Sequence, residues 1–330
     1  MVVKENIYDD YQSPFFYEHM NLPFFLHWTK FSFIRIEALM PLDLHHGGKT
    51  RKKRVKAPGP KVCHPRLRGK DESCLSPNLL TEIAQSHGAP SNLQGEPLRE
   101  WLRKKTRCKT ERCWLEKAPI DQKKKKNIQH QFFRPTMPDE WKNDPDQWLD
   151  SNNIADVMKQ YEESNSSFKF FGTNPIDFSA PDPYTPGSLE KKKCLQDEIC
   201  KMDLKELISK GKTKLGFVYN LDPSDKGGSH WIASFTDIPA HKTYYFDSYG
   251  MKPPKQIARF MRSLTLQDPQ MKLQFNARRF QFGETECGMY CLYFIIRMLE
   301  GDDFKEFCKS APKDHEMIDL RDWLFSPKDE

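Results

Sequence analysis

A chain of 330 residues, 37% hydrophobic and 12% aromatic, is long enough to bury one large core or two ordinary ones, which excludes a wholly disordered chain. Its net charge of +6 is unevenly spread: residues 1–140 carry 26 Lys/Arg against 16 Asp/Glu, and residues 141–330 carry 26 against 30. The excess is densest from Arg51 to Lys126, with 21 basic and 8 acidic residues, a density suited either to a polyanion, by counterion release, or to a solvated face.

In chain order, the apolar stretch at 23–40 contains Lys30, Arg35 and Glu37, which argues against a membrane span. Residues 1–62 otherwise mix aromatic patches with the run HHGGKTRKKRVKAPGP and read as a poorly ordered tail or linker. From Ser76, SPNLLTEIAQSHG offers a cap, a Pro at the first helical position and a Gly stop, with Leu79, Leu80 and Ile83 on one face. Glu96 to Lys117 is a second helix, so residues 63–130 form a basic helical arm that closes on the lysine run Lys123 to Lys126.

A larger domain over 135–330 opens with a helix from Ser151 as cap, placing Ile154, Val157, Met158 and Tyr161 at helical spacing. Short β-type runs follow at 214–221, 230–237, 242–247 and 271–276, with a helix PKQIARFMRSL before the last, which predicts an α+β sheet domain. The segment TECGMYCLYFIIRMLEG is apolar on nearly every face, with Thr285 as candidate cap and Gly301 as stop, and reads as a buried helix.

Cys287 falls in the first turn of that helix, where unpaired backbone N–H groups and the positive dipole end favour the nucleophilic thiolate. A lone buried cysteine is more often a small hydrophobe, so a partner must be found. A hairpin centred on 238–241 sets residue 232 opposite 247 and 230 opposite 249, which makes His230 and Asp247 diagonal neighbours on one face. Asp237, seven residues from His230, lies about 23 Å away along an extended strand and cannot orient it. A carboxylate fixing an imidazole that takes a thiol proton is the logic of nucleophilic acyl transfer, and Gln281 with the Cys287 backbone N–H supplies oxyanion donors.

Nine cysteines in no secretory spacing, with no secretory signal pattern at the N-terminus, predict unpaired thiols in a reducing compartment. Cys63, His64, Cys74, Cys108 and Cys113 offer ligand types for a metal, but the spacing of the last two is looser than structural zinc favours, so neither metal nor cofactor is expected. Cys194, Cys200, Cys291 and Cys308 read as structural.

The ordered set GSHWIASFTD, YYFDSYG and QFGETECGMYCLYF resembles the SUMO protease and adenovirus protease superfamily of cysteine peptidases, and WLDSNNI resembles its entry motif. The resemblance covers about residues 140–300. It implies a papain-like variant of the adenain type: a central mixed sheet flanked by helices, preceded here by an N-terminal helical arm as in the members from large DNA viruses. It also implies that Trp148 and Trp231 wall a narrow tunnel for a Gly-Gly tail, with Gly288 leaving space beside the Cys287 sulfur.

The function so implied is a thiol endopeptidase cutting viral structural polyproteins or core proteins after Gly-Gly-type sites during virion maturation, in the host cytoplasm and the virion. A second reading is an isopeptidase acting on SUMO, ubiquitin or a related modifier. A third, of another class, is an idle binding module whose basic arm holds DNA or another polyanion.

Overall fold

The computed structural model describes residues 35–39, 55–67, 73–183, 187 and 193–326. In chain order the principal elements are β1 (Glu37–Leu39), α1 (Pro77–Ser86), α2 (Gly95–Thr106), α3 (Glu111–Lys117), α4 (Gln122–Phe132) and α5 (Ser151–Ser164). There follow β2 (Phe168–Asn174), β3 (Lys214–Asn220), β4 (Trp231–Asp237), β5 (Lys242–Phe246), α6 (Lys255–Gln267), β6 (Lys272–Asn276), α7 (Cys287–Leu299) and α8 (Asp314–Leu324). The described residues divide into a sheet unit, formed by 35–39 together with those of 167–279, and a helical unit, formed by those of 55–166 with 280–326.

The sheet unit is a mixed six-stranded sheet in the order β1-β6-β5-β4-β3-β2. Its centre is the antiparallel run β3-β4-β5, with β2 parallel to β3, and β6 and β1 added in parallel beyond β5. Alternate residues Leu215, Phe217 and Tyr219 of β3 share a core with Ile232, Tyr245 and Leu273 of neighbouring strands. Onto this core α6 lays Ile257, Phe260, Met261 and Leu264. Phe217 stacks on Phe171 of β2 at 4.7 Å and meets Phe260 edge-on at 5.1 Å. Side chains of this size stabilise by about 1.5–3 kcal/mol each on full burial, which fixes the helix against the sheet.

Helical arm sequence obeys local rules, with exceptions that tertiary contacts explain. The Ser76 hydroxyl caps α1 by accepting the Leu79 N–H at 3.3 Å, with Pro77 in the first turn. The single helix expected over 96–117 is two: Arg107 adopts a left-handed φ of 58°, and Thr110 caps a new helix. The lysine run at 123–126, expected as a boundary, lies inside α4, capped by Asp121, because Lys125 is buried and donates to the Glu116 carbonyl at 2.7 Å. At α5 the cap is Asp150, one residue before the expected Ser151, in a reciprocal box with Asn153.

The tail expected over 1–62 falls mostly outside the described residues, as does the basic run at 45–54. Its described parts are held. Residues 37–39 form an edge strand of the sheet. Arg134 donates to the Pro58 and Pro60 carbonyls at 3.1 Å, Trp323 donates to the Gly59 carbonyl at 2.7 Å, and Lys56 pairs with Asp302 at 2.7 Å. Proline-rich backbone has unsatisfied carbonyls to offer, and buried donors from the helical unit take them.

The cysteines also correct the expectation of unpaired thiols. Three disulfides join Cys63 to Cys74, Cys108 to Cys113 and Cys194 to Cys200, while Cys287, Cys291 and Cys308 are buried and take part in no disulfide. Four of the cysteines weighed as metal ligands are thereby consumed as disulfides. Among the described residues no helix is long and apolar enough to cross a membrane.

His64 is fully buried; its Nδ1 accepts the Arg66 N–H at 3.2 Å, and its Nε2 lies 3.3 Å from Glu163. Burial first, then the Arg66 and Arg134 charges, pull its pKa down to about 3. The unfolded chain therefore binds a proton between about pH 6.5 and 3 that the folded chain refuses, so the contribution is complete above 6.5 and is lost as pH falls through this window. Urea midpoints from pH 7.5 to 3.5 should fall less steeply for His64→Leu than for the parent chain.

Candidate active site

His230 immediately precedes β4 and Asp247 immediately follows β5. The hairpin pairs Ala233 with Phe246 and Asp237 with Lys242, the register expected from the sequence. It turns through 238–241, where the Asp237 carboxylate accepts the Ala240 N–H at 3.0 Å and His241 takes a positive φ of 52°. At the opposite end the His230 Nε2 lies 2.8 Å from the Asp247 Oδ1, with both residues buried. Tyr249 stacks on the imidazole at 4.7 Å, and its backbone N–H donates to the same Oδ1 at 2.9 Å. Two contacts on one carboxylate oxygen fix the carboxylate in place and hold the ring by one nitrogen.

Asp247 is itself clamped. The Asn276 side-chain oxygen accepts the Asp247 N–H at 2.9 Å, and its amide donates to the carbonyls of Asp247 at 2.8 Å and Arg278 at 3.0 Å. Gly250 has φ 74°, and a Cβ there would stand 2.7 Å from the Arg278 carbonyl carbon, so two backbone segments touch where no side chain fits. Arg279 lies over the Tyr249 ring at 5.1 Å.

On the helical unit, Cys287 is the first residue of α7 and is 1% exposed. Thr285, the expected cap, instead donates to the Glu286 carboxylate; Glu286 is the N-cap and makes no side-chain cap bond. Backbone N–H groups of the first turn therefore lack the usual capping oxygen, which keeps the positive end of the helix directed at the sulfur. Gln281 is fully buried rather than solvent-facing, and its Nε2 donates to the Gly283 carbonyl at 3.2 Å. Gly288 and Cys291 are buried in α7, and Cys308 is buried in a short helix, Phe304–Lys309.

The expected residues thus divide by unit: His230, Trp231 and Asp247 on the sheet unit, and Trp148, Gln281, Cys287 and Gly288 on the helical unit. Trp231 is buried in β4, whereas Trp148 is 42% exposed. In the arm, Arg103, Lys104, Lys105, Lys123, Lys124 and Lys126 are exposed, but Arg112 and Lys125 are buried and bonded internally. Its outward charge is therefore smaller than the sequence count.

Known proteins resemble the chain over part of its length. A thiol protease of Acanthamoeba polyphaga mimivirus is 30% identical over 189 residues, 54% of this chain and 57% of that protein. The SUMO-1 cysteine protease of African swine fever virus is 32% identical over 119 residues, 33% of this chain and 43% of that protein. Over these stretches the chain is similar in sequence to viral thiol proteases. It spans about half the length of the curated relatives it matches. The crystal structure of the African swine fever virus protease superposes with a TM-score of 0.62 at 20% identity, over 83% of this chain and 98% of that one, so the two share a fold. No protein-family model matches the chain.

Sequence reading missed Asn276, Gly250 and Tyr249. Tyr249 and Gly250 sit inside the quoted YYFDSYG block, where a Gly just past a strand end was a usable signal. Asn276 ends its strand with no local mark. Asn276→Ala should leave the Asp247 N–H without its acceptor and take one donor each from the Asp247 and Arg278 carbonyls, and destabilise by about 2–3 kcal/mol in urea titration. Gly250→Ala should also lower the melting temperature, because backbone must move.

Proposed function

We propose that the chain is a cysteine protease in which Cys287 is the nucleophile, His230 the base, Asp247 the orienting acid and Gln281 an oxyanion donor. The observation that carries this reading is the buried contact of the His230 Nε2 with Asp247 at 2.8 Å. With Nε2 directed at the carboxylate, Nδ1 is the nitrogen that takes the Cys287 proton and later delivers it to the leaving amine. Cys287 stands at the start of α7, and its backbone N–H joins the Gln281 amide in receiving the oxyanion. Water then releases the acyl group from sulfur, with the same imidazole as base.

The substrate proposed is a protein with a Gly-Gly-type site, with Trp148, Trp231 and Gly288 as its proposed binding residues, the role that the resemblance implies for them. Processing of viral structural polyproteins or core proteins during virion maturation is the biological role that fits kinship with viral proteases. The African swine fever virus relative is named a SUMO-1 cysteine protease, which favours a second reading, removal of a ubiquitin-like modifier.

Cys287→Ala and His230→Ala should abolish cleavage of Gly-Gly-Xaa peptides with unchanged circular dichroism, and Asp247→Asn should retain partial activity because an amide still orients the ring. A Cys287→Ala protein that still cleaves would overturn the assignment. SUMO and ubiquitin C-terminal electrophilic probes separate the two substrate readings: labelling of Cys287 by the modifier probes supports the isopeptidase, and peptide cleavage without such labelling supports the endopeptidase.

A further inference from the structure

Asp314 is the first residue of α8, far in sequence from every residue assigned above. Its Oδ2 accepts two successive backbone N–H groups, from Phe282 at 3.0 Å and Gly283 at 2.8 Å. Its Oδ1 accepts the Tyr290 hydroxyl at 2.8 Å. Tyr290 lies three residues after Cys287 on α7 and is fully buried, and burial followed by the bond to Asp314 pushes its phenol pKa up, which keeps it a donor. One carboxylate thereby ties the loop that follows Gln281 to the helix that begins with Cys287.

The loop is shaped to accept this tie. A Cβ on Gly283 would stand 3.1 Å from the Glu286 Oε2 and 3.6 Å from the Asp314 Oδ2, so the bare backbone lies against both acids. The Gly283 carbonyl in turn receives the Gln281 Nε2 at 3.2 Å. An amide group carries two N–H donors in one plane, so bonding one to Gly283 sets the direction of the other. Charge-assisted bonds to two backbone N–H groups are stronger and more directional than neutral ones, which suits a group that fixes a loop.

We propose that Asp314 is a positioning residue for acyl transfer: through Phe282, Gly283 and Tyr290 it holds the Gln281 amide and the Cys287 backbone N–H as one preorganised oxyanion site. This inference rests on the thiol-protease reading. It assigns Asp314 no contact with substrate. A merely structural acid at a helix start would lower stability without separating the steps of catalysis; a positioning acid separates them, because alkylation of the thiolate needs no oxyanion site and hydrolysis does.

The test uses the full chain and its variants Asp314→Ala, Asp314→Asn, Tyr290→Phe and Gln281→Ala. Three quantities are read: turnover of a fluorogenic peptidyl-Gly-Gly coumarin amide, the rate of Cys287 alkylation by iodoacetamide, and inhibition by the matching peptide aldehyde, whose carbonyl carbon bonds to the sulfur to give a thiohemiacetal with its oxygen in the oxyanion site. Asp314→Ala should lower kcat by about 10- to 100-fold with KM little changed, weaken the aldehyde by a similar factor, and leave alkylation at the parent rate. Asp314→Asn keeps an acceptor and should recover part of the loss, and Tyr290→Phe should show a smaller loss of the same kind.

Adding Asp314→Ala to Gln281→Ala should cost little further, since both act on one site. Alkylation and turnover falling together, multiplying losses in the double variant, or a parent-level kcat in Asp314→Ala would each overturn the proposal. If Asp314→Ala does not fold, Asp314→Asn and Tyr290→Phe carry the same comparison. A parent chain that neither turns over nor is alkylated selectively at Cys287 would instead remove the protease reading itself, which distinguishes the two failures.

Discussion

The register of the β4–β5 hairpin is the constraint on which the candidate site depends. His230 and Asp247 lie beyond opposite ends of the two strands' sequence, yet their side chains meet at 2.8 Å because Ala233 faces Phe246 and the pairing runs without a bulge to the Asp237–Lys242 turn. A slip of one residue would send one of the two side chains to the other face of the sheet. The pairing is protected from slippage by core side chains of β4 and β5, Ile232 and Tyr245 among them, packed with β3 and α6. It is further pinned at its functional end by Asn276 and by the contact at Gly250.

Burying a carboxylate beside an imidazole is expensive unless donors surround it. Asp247 meets this with the Tyr249 N–H and the His230 ring on one oxygen, while its backbone is satisfied by Asn276. Asp314, half-buried on the helical unit, is likewise held by donors, two backbone N–H groups and a phenol. Both acids sit where a turn leaves orphan N–H groups, so each stabilises a loop while being stabilised by it.

The helical unit uses short covalent links where its helices are short. The disulfides Cys63–Cys74 and Cys108–Cys113 close loops separated by 11 and 5 residues, and each such link removes unfolded-state entropy worth on the order of 2–3 kcal/mol. That suits an arm whose basic residues are partly turned to internal work: Arg112 donates to the Arg134 carbonyl, and Arg134 to the prolyl carbonyls of 58 and 60. Charge counted along a sequence does not distinguish such cations from those facing solvent.

By itself the sequence determined the β3, β4, β5 and β6 strands, the buried helix beginning at Cys287, and the hairpin register that pairs His230 with Asp247. All of these follow from periodicity, turn residues and spacing within some 20 residues, where the energy terms are local. Tertiary structure alone decided that residues 37–39 close the sheet edge, that six cysteines pair, that Arg107 breaks the expected helix, and that Asn276 and Asp314 hold the ends of the site. Each of those depends on a partner distant in sequence or on burial created only when the chain compacts, and an edge strand, a disulfide or a buried amide leaves no periodic mark from which its partner can be read.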